Sequence, residues 1–495
     1  MPRLGCKAAT WATWLTLLGI GAATTLYAFI SLGNHQRFRT YAMDLGIKNQ
    51  ALWFYEQGLY STSTLVSELS TEQGQVHMLA NHFEPILILV ARFYPLLGSS
   101  TLLWFQVLCI GLGGWGMFLL ARSYLPNPLM ATAVTWYFLF AWPVFSAIGF
   151  DFHTNVPGAM ALPYVWYFLK SRKWRALSVS ILFMLSCKET MAFWLFFIGI
   201  GMAWHFRKSP DRRNVAIGTA ALGLFSFFLI MNLAMPALGG KYIGYFHFQY
   251  ALLGDSIPEA LKTVLTRPGF ALRLLWENPE GTPNYVVEYK SMFFTACYMA
   301  GGFLILLYPS LAIMAFPIVA QKMWNDQPAR WSPFYQYSIE LVPLFAMGFV
   351  LSASRWKSAI PGFIILLIGL FFGLRTSKDS LKWFRGWEGG RAAIDFTWEG
   401  HYQREFPTDS LHSLLKQVPE NVAVAATDFV VPHLANRPVI YELPEVKDAI
   451  WILLVDDGRR YARQTLALEI IDSLRNSGEW EIRYATEPFL LLEKK

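Results

Sequence analysis

Long apolar runs separated by short polar or basic stretches dominate the chain, and they set its architecture. A helix needs about 20 apolar residues to cross a bilayer. The first run, Ala8 to Leu32, follows Arg3 and Lys7 and exceeds the h-region of a cleaved signal peptide, roughly 7–15 residues. It predicts an uncleaved first span with a cytoplasmic N-terminus. A polar stretch from Gly33 to Glu84 follows and is placed outside. Within it, Asp44 to Gln57 predicts a helix, with Ile47, Ala51, Phe54 and Tyr55 at helical spacing and Gly58 as the stop. Asn81-His82-Phe83-Glu84-Pro85 leads into Ile86 to Leu97, which contains Arg92; this run is too short to span and suits a helix lying in the interface.

Thr101 to Ala121 then spans inward and Pro128 to Ile148 outward, leaving Asp151 and His153 at the outer face. Val156 to Leu169 returns to the basic cluster Lys170, Arg172, Lys173 and Arg175. The following run, Ala176 to Phe206, holds about 31 residues, or about 46 Å of continuous helix. A single helix would put this cluster and the next one (Arg207, Lys208, Arg212, Arg213) on opposite faces, against the positive-inside rule. Two short helices with Lys188-Glu189 at an outer or re-entrant turn satisfy the rule, and such a break is tolerated where protein or a cavity surrounds it. Further spans are predicted at Val215 to Ala234, Ser291 to Leu307, Pro309 to Ala320, Ser338 to Ser352 and Ile360 to Leu374, making about eleven. Outer loops cover about residues 33–100 and 235–290.

From Arg375 onward the pattern turns soluble. Strands are predicted at Asn421 to Ala426, Pro438 to Tyr441, Ala449 to Val455 and Glu481 to Tyr484, with an amphipathic helix from Arg459 to Arg475. This alternation predicts a small extracytoplasmic α/β domain over 376–495, after a transmembrane domain over 1–375. Asp395 to Pro407 reads as a linker over the membrane.

Composition agrees with a membrane protein. Of 495 residues, 54% are hydrophobic and only 15% charged, against about 25% charged in soluble domains. The net charge of +7 comes from short basic clusters between apolar runs and is no nucleic-acid signal. Cys6, Cys109, Cys187 and Cys297 are scattered without metal, redox or disulfide spacing.

Polar residues with chemical potential gather on the predicted outer side: Asp44, His82, Glu84, Asp151, His153 and the Lys188-Glu189 pair. Charge at membrane depth costs roughly 2.5–3.5 kcal/mol on insertion scales, so such groups are functional candidates. Each also has a plainer reading. Asp44 suits the N-cap of the helix that follows it; Asp151 and His153 suit an ordinary polar loop; Lys188-Glu189 suits a neutralised pair at a helix break. His82 and Glu84 offer metal ligands in company with Asp44 or Asp151, without a helical His-x-x-x-His spacing to favour one.

Asp44-Leu-Gly46 with Gln50-Ala-Leu-Trp53, His82-Phe-x-Pro85, Asp151-Phe-His153, Lys188-Glu189 and Gln336-Tyr337-Ser338, together with Pro432 to Pro444, resemble a family of bacterial polytopic membrane proteins carrying a domain of unknown function. Its architecture in turn resembles the GT-C glycosyltransferases, such as the protein mannosyltransferases and the aminoarabinose and arabinosyl transferases. That resemblance implies an α-helical polytopic fold in the bacterial inner membrane. It also implies a polyprenyl-phosphate sugar donor and an inverting transfer to an acceptor hydroxyl at the outer face. Asp44 matches the acid soon after the first span and would act as general base, with Asp151 as the second acid. Leu45-Gly46 stands where the mannosyltransferases have a second acid, which leaves the acceptor type open. The leaving phosphate would be met by Lys188 or Arg92, with His153 and Glu189 nearby, or by a divalent ion (Mg or Mn) on His82 and Glu84. A transporter or lipid-handling protein, which would use broken helices and buried charge in the same way, and a non-catalytic envelope assembly protein are the alternatives.

Overall fold

The computed structural model describes residues 2–66, 70–71, 74–239, 247–355, parts of 363–378, 399–458, 460 and 462–495. Most of the predicted span Ile360 to Leu374, and residues 395–398 of the predicted linker, lie outside the described residues.

Among the described residues four helical runs are long and apolar enough to cross a membrane: Ala9–Gln36, Ile86–Arg122, Pro210–Gly239 and Gln336–Ala353. A fifth counts if Pro128–Leu139 and Trp142–Ile148, bent by 40° at their junction, form one span. The first helix, α1, covers Pro2–Gln36. The loop-one helix, α2, covers Ile47–Glu56 and is entered through a π-turn, Ala42–Gly46. Ile86 to Leu97, expected as a separate interfacial helix, instead continues through short 3-10 turns into α3, Thr101–Arg122.

Next come α4 (Asn155–Lys170), α5 (Trp174–Cys187), α6 (Glu189–His205) and α7 (Pro210–Leu229). The break expected within Ala176 to Phe206 lies at Lys188, whose backbone is fully extended (φ −165°, ψ 151°) and serves as C-cap of α5 and N-cap of α6. Small residues allow α6 and α7 to touch backbone to backbone. A Cβ on Gly199 would sit 2.4 Å from the Ala220 nitrogen, and one on Gly223 would sit 2.6 Å from the Phe196 nitrogen. Close approach through small residues is the usual way helices associate in lipid, where apolar burial supplies no drive.

The C-terminal part is a five-stranded mixed sheet. Its strands are β1 (Val424–Ala426), β2 (Ile440–Glu442), β3 (Trp451–Val455), β4 (Trp480–Thr486) and β5 (Phe489–Lys494), in the order β2-β1-β3-β5-β4. The β1–β2 and β1–β3 pairs are parallel, and β5 runs antiparallel to both β3 and β4. β3 is buried throughout, so alternate residues enter two cores. Ile452 and Leu454 pack with Ala467 and Ile471 of the helix Ala462–Asn476. Trp451, Leu453 and Val455 share the other core with Phe38, Tyr41 and Ala42 from the entrance to loop one. One face of the sheet is therefore finished by the segment that leads to Asp44.

Candidate functional site

The site is built where loop one, the loop before α4, the α5–α6 break and the C-terminal sheet meet. Asp44 lies inside the π-turn before α2, and the residue at the N-cap is Tyr41. The capping role expected of Asp44 is filled from elsewhere. The Tyr41 N–H donates to Asp151 Oδ2 (2.9 Å), and the Ala42 N–H donates to Asp428 Oδ1 (2.8 Å). Two carboxylates from distant parts of the chain thus meet the positive end of the helix, as the helix dipole favours.

The Asp151 backbone is in the left-handed region (φ 34°), which aspartate tolerates better than most residues. Gln106, fully buried in α3, clamps this turn: its Nε2 donates to the Asp151 carbonyl (3.0 Å) and its Oε1 accepts from the His153 N–H (2.9 Å). The clamp sets His153, whose ring stacks on Phe150 at 5.5 Å and whose Nε2 faces Asp44 Oδ1 at 4.0 Å. His153 Nδ1 pairs with Gln336 Nε2 at 3.3 Å. Burial lowers the His153 pKa to about 3, against the upward pull of Asp44 and with Lys48 and Lys188 pushing further down. The imidazole beside Asp44 is neutral.

Glu84 is 1% exposed and is held by Lys48 from α2, whose Nζ lies 2.8 Å from Oε1 and 2.6 Å from Oε2; the Thr154 hydroxyl donates to the same Oε1. Burial raises the Glu84 carboxyl, but Lys48, with His82 and Lys188, outweighs it and holds the pKa below the ordinary value. His82 is partnered separately. Its Nδ1 pairs with Glu189 Oε1 (2.9 Å), and Glu189 Oε2 accepts from the Phe83 N–H (3.0 Å). Burial, with Lys188 next, holds the His82 pKa well below its ordinary value, so the neutral ring donates to the carboxylate. His247, from the segment that follows α7, stacks on His82 at 4.0 Å, and its Nε2 pairs with Asn81 Oδ1 at 2.7 Å. His82 and Glu84, the expected metal ligands, are thus held by different protein partners. Among the described residues no group of three or more His, Cys, Asp or Glu is arranged to hold a metal ion.

Lys188 sits at the centre of this array. Its charge is felt at His82, Glu84, His153 and His247, yet none of the hydrogen bonds or ion pairs of the described residues engages its ammonium. Arg92 is not brought in: it is exposed on the 3-10 turn Ala91–Phe93. A basic group that sequence reasoning missed, Arg330, is within electrostatic reach of His82 and His247 and lies over the Tyr337 ring at 4.9 Å. Lys48, Gln106, Thr154, His247 and Asp428 were missed as well. Lys48 alone carried a signal, as a cation one helical turn beyond Asp44 on a mostly apolar helix.

The C-terminal part grips α2 and the loop after it at further points. Asn49 Nδ2 donates to the Pro432 carbonyl (3.2 Å). Gln50 Nε2 donates to the carbonyls of Arg437 (3.3 Å) and Pro438 (3.1 Å). Thr64 Oγ1 donates to the Ile440 carbonyl and accepts from its N–H.

No curated protein matches this chain. Among solved structures, that of ArnT from Cupriavidus metallidurans bound to undecaprenyl phosphate is similar, with a TM-score of 0.50 at 10% identity, covering 98% of this chain and 98% of that one. The same protein in the apo state gives a TM-score of 0.45 at 10% identity, covering 94% of this chain and 97% of that one. The fold is therefore like that of ArnT over the length of the chain: mostly helical, with several helices long and apolar enough to cross a membrane and a small C-terminal sheet. The model of the family described as "Predicted membrane protein (DUF2079)" matches residues 34–491, and the chain belongs to that family.

Proposed function

We propose that the protein is a membrane glycosyltransferase that moves a sugar from a polyprenyl-phosphate donor to an acceptor hydroxyl at the outer face of the bacterial inner membrane. The observation that carries the reading is the Lys188 ammonium. Among the described residues no hydrogen bond or ion pair engages it; it lies at a helix break, and its charge acts on His153, the neutral histidine that faces the partly exposed Asp44 carboxylate. Such a cation suits a phosphate leaving group. The acceptor oxygen attacks the anomeric carbon with inversion. Its proton passes to Asp44, the bond from carbon to phosphate oxygen breaks, and its electron pair stays on the polyprenyl phosphate beside Lys188.

Asp151 then acts by holding the Tyr41 N–H, and so the turn that carries Asp44. Glu189 holds His82 against the same pocket. An apolar groove of about 210 Å³, lined by Cys109, Gly113, Pro157, Met160, Tyr164 and Phe183, reaches α5 little more than one turn before Lys188 and suits an isoprenoid tail. Undecaprenyl phosphate bound to the similarly folded ArnT supports a lipid donor of this class. In this reading the chain makes about eleven passes, short helices included. Its N-terminus is cytoplasmic, residues 1–375 form the transmembrane domain and 376–495 form an extracytoplasmic domain.

The test is transfer from a panel of radiolabelled polyprenyl-phosphate sugars by the purified protein in lipid nanodiscs, with and without Mg²⁺ or Mn²⁺. A positioned base is worth roughly 10²–10⁴-fold in rate, and Asp44→Asn is expected to lose about that much. Full transfer by Asp44→Asn would falsify the assignment.

A further inference from the structure

Gln336-Tyr337-Ser338 is singled out in the sequence but has no part in the transfer chemistry. It forms a 3-10 turn directly before the helix Leu341–Ala353, with Glu340 at that helix's N-cap. Gln336 pairs with His153 Nδ1 at 3.3 Å. Asn155 Nδ2, at the start of α4, bridges the Gln336 carbonyl (3.5 Å) and Glu340 Oε1 (3.0 Å). His153, Asn155, Gln336, Ser338 and Glu340 are all buried, none more than 8% exposed.

Among the described residues, four atoms in this group nevertheless find no hydrogen-bond partner: His153 Nε2, Gln336 Oε1, Ser338 Oγ and Glu340 Oε2. Buried polar atoms are almost always satisfied, and one left unsatisfied is costly. Four together at one edge of a candidate site point to a polar ligand. The group is continuous with the chemistry, since His153 Nε2 faces Asp44 at 4.0 Å and Glu340 lies within reach of the Lys188 charge.

We propose that His153, Asn155, Gln336, Ser338 and Glu340 form the subsite that binds the hydroxyls of the donor's sugar ring. The proposal rests on the transferase reading and deepens it. Its chemistry specifies the ligand. Gln336 Oε1 and Glu340 Oε2 accept, Ser338 Oγ accepts or donates, and His153 Nε2 carries the ring proton because Nδ1 accepts from Gln336. A ring with several hydroxyls, each both donor and acceptor, matches this set. A carboxylated sugar would set its charge against Glu340, so the subsite favours an uncharged ring over a uronic acid.

Binding separates this subsite from the phosphate site and from the reaction. Three probes are titrated into the full-length protein in nanodiscs: dodecyl phosphate, its glucosyl ester and its glucuronosyl ester. The wild type is expected to bind the glucosyl ester at least ~10-fold more tightly than bare dodecyl phosphate, the worth of one or two good hydrogen bonds, and to show no such gain for the glucuronosyl ester. Gln336→Met and Ser338→Ala are each expected to cut that gain several-fold while leaving dodecyl phosphate affinity unchanged. The unchanged affinity also shows that the variants remain folded. Equal wild-type affinity for the glucosyl ester and bare phosphate would mean that water alone fills the subsite, and would overturn the proposal. A gain that survives both substitutions would also overturn it, as would an equal loss of affinity for both probes, which would assign these residues to the framework. None of these outcomes depends on turnover, so the subsite and the Asp44 assignment stand or fall separately.

Discussion

Removing the Lys48 ammonium tests whether the pocket is held by a buried ion pair. Lys48 is 7% exposed and Glu84 1%. Both carboxylate oxygens take the ammonium, and among the described residues Oε1 alone has a second partner, the Thr154 hydroxyl. Lys48→Met leaves a desolvated carboxylate with one hydrogen bond, and breaking a buried pair in this way costs about 3–5 kcal/mol. Replacing both partners, Lys48→Met with Glu84→Leu, removes the orphaned charge. It should recover most of that loss, short of the roughly 1–3 kcal/mol for stranding the Thr154 hydroxyl. The pH dependence has a definite sign. Glu84 in the native protein titrates below its ordinary value, so its contribution is fully present above the unfolded carboxyl range, about pH 4.3, and is lost as pH falls through the folded pKa. Without Lys48, burial is the strongest remaining influence and pushes the carboxyl up. The deficit of Lys48→Met should then shrink as pH falls from 8 toward 5. Thermal inactivation of both variants in nanodiscs, followed over that range, measures this. A single variant less than about 1 kcal/mol weaker than wild type, or a double variant weaker than the single, would refute the reasoning.

His153 titrates near 3 against an ordinary 6.5. Its stabilising contribution is therefore whole above pH 6.5 and fades as pH falls from there toward 3. His153→Gln should flatten the fall in thermal stability over that window, and an unchanged slope would count against a neutral buried ring. Asp428→Ala takes away the acceptor at the Ala42 N–H and should lower kcat about 10-fold or more with donor KM little changed. Asp428→Asn, which keeps Oδ1, should restore it; equal losses in both variants would dismiss the positioning role. Gly199→Leu places a side chain where the Ala220 backbone already lies. It should abolish recovery of folded protein from membranes, and normal yield would mean that α6 and α7 do not pack as described.

What the sequence showed and what it hid divide along a physical line. Apolar runs, the helix that follows Asp44, the break at Lys188 and four of the five sheet strands were legible because each is a local pattern of period, length or charge. β5 escaped because Phe489-Leu-Leu-Leu492 is a short apolar run without alternation, and only its neighbours β3 and β4 make it a strand. Hydropathy predicts about eleven passes where four described runs, or five with the pair bent at Phe140, are long enough to cross a membrane, because α4, α5, α6 and the helix Pro309–Met323 are shorter than a full span and most of Ile360 to Leu374 lies outside the described residues. The candidate residues were mostly legible as a set and illegible as partners. Nothing local links Glu84 to Lys48, His82 to Glu189 or Asp151 to the Tyr41 N–H, since each pair is made by packing across the fold. Arg92 differs for the converse reason: a cation close to the candidate loop is read from sequence as available, and only its exposure in the fold, on the 3-10 turn Ala91–Phe93, sets it apart from the buried array.

The C-terminal part follows from the same geometry. Were it an appendage, its contacts with the membrane portion would be few, polar and distant from the pocket. Instead its sheet completes a core with Phe38, Tyr41 and Ala42, its Asp428 caps the turn that holds Asp44, and its segment from Pro432 to Ile440 supplies carbonyls to Asn49, Gln50 and Thr64. Phe38, Tyr41 and Ala42 lead into the turn that carries Asp44, Asn49 and Gln50 lie on α2 within two helical turns of it, and Thr64 follows in the loop after α2. In the proposed reaction the Asp44 carboxylate must meet an acceptor hydroxyl at hydrogen-bond distance, which needs its backbone fixed to well under an ångström, and the regular element that adjoins its turn in loop one is the short helix α2. Folding the two halves against each other provides that rigidity. It also accounts for a family match that runs from residue 34 at the end of α1 to residue 491 in the last strand rather than stopping at the end of the membrane helices.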